Sequence, residues 1–212
     1  MNNKSNNMKN NVLTIVILIL TLISCKAQVA PLYRIDPELP EGTYYKDLDN
    51  DFDKFIGTWK WESNDSIITI VLQKKEDVYI PSNNQYEDYI VGEYKFTVNG
   101  NVIQDYLGRL NDPNLSGDDH HIAGNTILEN GQLPVCDDCP IGERRIFLVF
   151  TDPEREYMLS ALALRSLSQG QVLSTEPAQL HGTLFTFSTS VVPIDEPENI
   201  RIPFGEYIFV KQ

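Results

Sequence analysis

From Gly57 to the C-terminus the chain is a succession of short runs rich in Val, Ile, Thr and aromatic residues, broken at near-regular spacing by Gly, Asn, Asp, Ser and Pro. That rhythm constrains the fold more than any other feature, because β-branched and aromatic residues suit a pleated surface and the punctuating residues suit turns. "GTWKWES" places Trp59 and Trp61 on one side of a strand and Thr58, Lys60 and Glu62 on the other. "SIITIVLQKK" reads as the next strand. "DYIVGEYKFTV", then "NGN", then "NVIQDYL" is the strongest hairpin signal in the chain, since Asn-Gly supplies two positive-φ positions. "RRIFLVFTD" reads as a strand buried on nearly both faces, and "HGTLFTFST" and "GEYIFVKQ" come close to strict alternation.

One segment carries two signals. "DPEREYMLSALALRSLSQG" has Asp152 at an N-cap position, Pro153 at the first helical position and Gly170 just beyond, a pattern that suits a helix. The β alternative makes "YMLSALALRSL" a strand, "SQGQ" a turn and "QVLST" its partner. Periodicity does not decide between them. Counting runs gives about eight to ten antiparallel strands, which at this length means a closed barrel or a two-sheet sandwich.

The opening segment is of another kind. Lys4 and Lys9 precede an apolar run from Val12 to Ile23 that ends in Ser24 and Cys25. Basic start and apolar middle are the anatomy of a secretory signal peptide. As a helix the run would reach about 18 Å, short of the roughly 30 Å hydrocarbon core of a bilayer. The sequence "LTLISC" looks like the lipobox of a bacterial lipoprotein, with residues 1–24 removed and Cys25 lipidated. Two or three acyl chains would then hold the protein to a membrane, since each buried methylene contributes about 0.8 kcal/mol. Lys26 after the cysteine lacks the aspartate associated with inner-membrane retention, so the expected location is the outer membrane, on its periplasmic face or surface.

Residues 25–50 are polar and punctuated by Pro31, Pro37 and Pro40, and they read as a flexible tether. "DLDNDFDKF" suits a short helical turn sharing Phe52, Phe55 and Ile56 on one face. Residues 51–212 are then one domain, long enough to bury a core. The formal net charge of −13 repels phosphate backbones, so no nucleic acid is expected as a partner.

With Cys25 acylated, Cys136 and Cys139 remain, and in an oxidising compartment the pair is expected to form a disulfide. The competing arrangement is zinc held by His120, His121, Cys136 and Cys139. Adjacent histidines on a strand point to opposite faces, which weakens it. The sequence holds no nucleophile elbow, no zinc-protease helix and no glycine-rich phosphate loop. No catalytic residue and no cofactor are therefore assigned, and the chain is not expected to be an enzyme. Ten tyrosines, nine phenylalanines and two tryptophans either fill a core or line a cavity for a small apolar ligand.

A helical turn followed by Gly57-x-Trp59 resembles the start of lipocalin-like barrels, in which the tryptophan packs across one closed end. More widely, "FIGTWKW", "DYIVGEYKFTVNG", "FTDPERE" and "IPFGEYIFVKQ" after a lipobox resemble a family of small secreted bacterial lipoproteins of unknown function. The resemblance implies an all-β, antiparallel, lipocalin-like barrel preceded by a signal helix and an extended linker, with the Asp-Pro segment leading into strands. It implies scaffold roles for Gly57, Thr58, Trp59, Gly92, Tyr94, Asn99 and Gly100. The family carries no assigned activity; the aromatic-rich barrel and the lack of a catalytic motif make the expected function a binding or interaction module for an apolar small molecule or an envelope partner, and the rival expectation is a metal-binding protein or metal-dependent enzyme at the His and Cys loops.

Overall fold

The computed structural model describes residues 28–33, 36, 38–167, 176–188 and 191–212. The signal segment, Cys25 and the "SQGQ" turn with "QVLST" lie outside the described residues. The strands are β1 (Val29–Pro31), β2 (Tyr44–Lys46), β3 (Gly57–Ser63), β4 (Ser66–Ile80), β5 (Gln85–Val98), β6 (Asn101–Asp105), β7 (Ile122–Leu128), β8 (Arg145–Phe150), β9 (Ser160–Ser166), β10 (Gln179–Thr186) and β11 (Gly205–Lys211). Two 3-10 turns, Leu107–Asn111 and Gly117–Asp119, are the only helical elements among the described residues.

Eight strands close on themselves. β3, β4, β5, β7, β8, β9, β10 and β11 each pair antiparallel with the next, and β11 returns to β3 through Val210 opposite Lys60 and Lys211 opposite Trp59. The result is a closed antiparallel barrel, one of the two architectures that the strand rhythm predicts and consistent with the lipocalin-like barrel that the Gly57-x-Trp59 resemblance implies. Closure leaves none of the eight as a free sheet edge over its full length.

β5 organises one wall because three strands share its second edge in turn. β2 pairs with it in parallel at Tyr86 and Glu87, β7 at Ile90 to Gly92, and β6 at Lys95 to Val98. The β5–β6 hairpin turns at Asn99 (φ 51°) and Gly100 (φ 75°), the left-handed pair expected of Asn-Gly. At Gly92 the walls press so closely that a Cβ would stand 2.5 Å from Leu72 Cδ2 and 2.8 Å from the Val71 carbonyl.

Alternate residues of each strand fill the barrel. Ile68, Ile70 and Leu72 of β4, Ile90, Tyr94 and Phe96 of β5, Ile146, Leu148 and Phe150 of β8, and Phe209 of β11 belong to one buried cluster with Trp59. Each such side chain taken from water contributes about 1.5–3 kcal/mol. The segment with two signals resolves to strand β9, and its odd positions Ala161, Ala163 and Arg165 face outward while Leu162 and Leu164 enter the core. Asp152 and Pro153 form a turn ahead of it, with the Arg155 N–H donating to the Asp152 carbonyl.

Within the stretch expected to be a tether, Val29–Pro31 and Tyr44–Lys46 pair into the sheet. β1 and β2 extend the sheet beyond β5, and Ala30, Leu32 and Tyr45 are buried. Its apolar residues are too sparse and too separated by proline to show a period, yet Ala30, Leu32 and Tyr45 find a place once the barrel supplies a wall. "DLDNDFDKF" forms hydrogen-bonded turns in place of a helical turn, and it sends Phe52 and Phe55 into the core.

Candidate functional site

The end of the barrel where β3 begins is sealed. Trp59 is buried, its indole N–H donates to the Phe55 carbonyl at 2.7 Å, and Lys211 Nζ lies 5.2 Å above its ring. Gly57 makes the approach possible: its φ is 131°, and a Cβ there would meet Lys211 Cε at 3.0 Å. Phe52 and Phe55 pack beneath. Above them Lys74 Nζ reaches Asp47 Oδ2 at 3.0 Å and Asp88 Oδ2 at 3.9 Å. Asp47 also accepts the N–H groups of Asp51 and Phe52, and Asp88 accepts the Tyr44 hydroxyl and the Asp47 N–H. These two buried carboxylates are fully engaged in fixing the N-terminal segment to the barrel.

The opposite end is closed as well. Asp152 accepts Arg201 Nη2 at 2.6 Å and the Arg201 N–H at 2.9 Å, and Gln104 Nε2 reaches both Asp152 and the Tyr94 hydroxyl. Burial alone would raise the Asp152 carboxyl, but the Arg201 contacts outweigh it and hold it below the usual carboxylate range. Burial, with the Asp152 charge nearby, pushes the Tyr94 hydroxyl far up, so it stays protonated. Ile200, Ile202 and Met158 cover the core here.

The outer wall carries open space. A cavity of about 500 Å³ lies over β8 to β11, beneath the loop that joins β7 to β8. Its floor is formed by Ala163, Thr183 and His181, its rim by Glu206, and its roof by the Pro134 to Asp138 stretch. Cys136 and Cys139 are joined in a disulfide there, with Cα atoms 5.4 Å apart. Arg165 holds the loop down: Nη1 donates to Asp138 Oδ2 at 2.9 Å and Nε to Glu143 Oε1 at 3.0 Å, which keeps the Asp138 carboxyl below its usual range. Buried Arg145 does the same from below, donating to the carbonyls of Gln132 and Pro134. Sequence reasoning passed over both arginines, whose only signal is a cation at an outward position of a nearly apolar strand.

His120 and His121 converge on one carboxylate instead of diverging. They stand at the exit of the Gly117–Asp119 turn, where strand alternation does not yet apply, and their Nδ1 atoms lie 3.0 and 2.6 Å from the two oxygens of Glu93. Glu93 is fully buried, with Arg109 Nε 3.6 Å away, and the His121 ring packs 4.4 Å from that of Tyr106. His120 also lines a second outer cavity of about 290 Å³ with Asp112 and Ser116. Glu93 was legible only as an acid in mid-strand between buried neighbours.

The four residues of the metal expectation are therefore not brought together. The cysteine sulfurs are bonded to each other and the histidines turn to Glu93. Among the described residues one group of three donors lies within 4.8 Å of one another, Cys136, Asp138 and Cys139, two of them in the disulfide.

Fold and site together define a closed, eight-stranded antiparallel barrel, packed inside and recessed on its outer wall. The model of a family of unknown function, DUF6705, matches residues 8–212, and the chain belongs to that family. No curated protein and no solved structure matches it.

Proposed function

We propose that this protein is a non-catalytic binding module of the cell envelope, fastened by acyl chains on Cys25 to the outer membrane, that recognises an envelope partner through its outer wall. One observation carries the choice of surface over interior. The barrel is filled by Trp59, Tyr94, Phe209 and their neighbours and sealed at both ends, whereas a cavity of about 500 Å³ opens outside it. That recess has the size of a small-ligand or side-chain pocket and combines the apolar Ala163, Leu164 and Val135 with the polar Thr183 and His181 and the charges of Arg165 and Glu206.

The discriminating experiment places a photo-crosslinking residue at Thr183 in cells and compares it with one at Lys60 on another wall. A discrete adduct formed at Thr183 and lost on Ala163→Trp, which fills the recess, supports the reading. Native mass spectrometry of the purified protein supplies the opposing result. A small apolar molecule retained by the folded chain and released on denaturation would move the site into the barrel.

A further inference from the structure

The geometry points to a second membrane contact: the disulfide loop between β7 and β8 dips its exposed Leu133, Val135 and Ile141 into the bilayer beside the lipid anchor. The inference rests on acylation of Cys25 and goes beyond it by fixing which end of the barrel meets the lipid.

Reach decides the orientation. Cys25 stands four residues before Val29, the first residue of β1, and four residues span at most about 14 Å fully extended. β1 lies on β2, and β2 lies on the opening residues of β5, at the end sealed by Trp59. Acyl chains on Cys25 therefore bring that end against the membrane surface, where a long tether would have held the domain clear of it.

The loop is at the same end and is tied to the same segment. It runs from Leu128 to Arg145, which are paired with each other, and Arg144 Nη1 reaches Asp49 and Asp51 at 2.6 Å each. Leu133, Val135 and Ile141 are 72%, 59% and 101% exposed. They are held, not loose. Arg145 grips the carbonyls on both sides of Leu133, the disulfide closes residues 136–139, and Asn130 Nδ2 donates to the Pro140 carbonyl at 3.0 Å. A loop already ordered loses little further entropy when its apolar side chains leave water.

Apolar residues are exposed at the other end too, Val191 and Ile194 among them. No stretch as short as four residues connects those to an anchor. The full sequence carries a formal net charge of −13, made more negative when Lys4 and Lys9 leave with residues 1–24, and with Asp137 exposed on the loop itself this suits a zwitterionic leaflet over an anionic one.

The test uses the acylated protein, residues 25–212, in phosphatidylethanolamine-rich vesicles containing brominated acyl chains. Ile141→Trp and Leu133→Trp are compared with Ile194→Trp, each against the parent emission of Trp59 and Trp61. All three positions are exposed, so folding is unaffected. Quenching several-fold stronger at 141 and 133 than at 194 is expected. Equal quenching at the three sites, or stronger quenching at 194, would overturn the docking while leaving the anchor standing. A mass spectrum without acyl chains on Cys25 would remove the anchor, and the docking with it.

Discussion

Arg201 grips the Asp152 carboxylate from 49 residues further along the chain, with Nη2 2.6 Å from Oδ1 and Nε 3.1 Å from both oxygens. The pair joins the turn before β9 to the segment before β11 and so closes the barrel end away from Trp59. Asp152 is 1% exposed, and removing one partner of a buried ion pair typically costs about 3–5 kcal/mol. Asp152→Asn keeps the shape and part of the hydrogen bonding, so a loss of about 2–3 kcal/mol in urea unfolding is expected.

The same pair sets a pH dependence. Its folded pKa lies below the unfolded value of about 3.9, so the Asp152 contribution is fully present above that value and is lost as pH falls through the depressed folded pKa. Melting curves between about pH 2 and 5 should fall less steeply for Asp152→Asn than for the parent. Parallel curves would show that Arg201 does not stabilise the charged form.

Two glycines are fixed by contact and conformation. Gly57→Ala meets a φ of 131° that side chains rarely adopt and a Lys211 stem at 3.0 Å, and about 2 kcal/mol of destabilisation is expected. Gly92→Ala drives a methyl into the Val71 carbonyl and Leu72, where backbone must yield. It should cost as much or more, about 2–3 kcal/mol. Guanidinium midpoints at unchanged slope would measure both.

These positions also mark what was legible in the sequence. The Asn99-Gly100 turn, the Gly57-x-Trp59 start and strands β3 to β6, β8, β10 and β11 follow from local chemistry, because alternation and turn residues act over a few positions. β7 was hidden. Its "IAGNTIL" carries Gly124 and Asn125 at a register shift between Ala123 and Thr126, which breaks the period. β1 and β2 were hidden because three-residue strands have no period to read. The Glu93, Arg145 and Arg165 contacts are made between distant strands, so no spacing along the chain announces them.

Glu93 is the sole carboxylate within hydrogen-bond reach of both His120 and His121 among the described residues. Glu93→Leu leaves two buried imidazoles without their hydrogen-bond partner and removes the charge 3.6 Å from Arg109 Nε, and a cost of about 3 kcal/mol or more is expected. Glu93→Gln retains one carbonyl oxygen and should be milder. Amide hydrogen exchange in residues 106–121 should rise in Glu93→Leu well before exchange in β8 or β9, since this carboxylate holds that segment to the wall. Uniform acceleration throughout the barrel would mean that Glu93 supports the whole fold instead.

The disulfide gives the last and most local expectation. Closing a four-residue loop restricts the unfolded chain little, so Cys136→Ser with Cys139→Ser should lower stability by about 2 kcal/mol at most. Arg145 and Arg165 still hold the loop from beneath, and the far-ultraviolet spectrum should be unchanged. Chelators should leave the melting temperature of the oxidised protein where it is, because the sulfurs are occupied with each other and the two histidines with Glu93. Zinc retained stoichiometrically by oxidised protein, or a large drop in melting temperature on chelation, would show that these side chains rearrange around a metal and would reopen the alternative reading of the His and Cys loops.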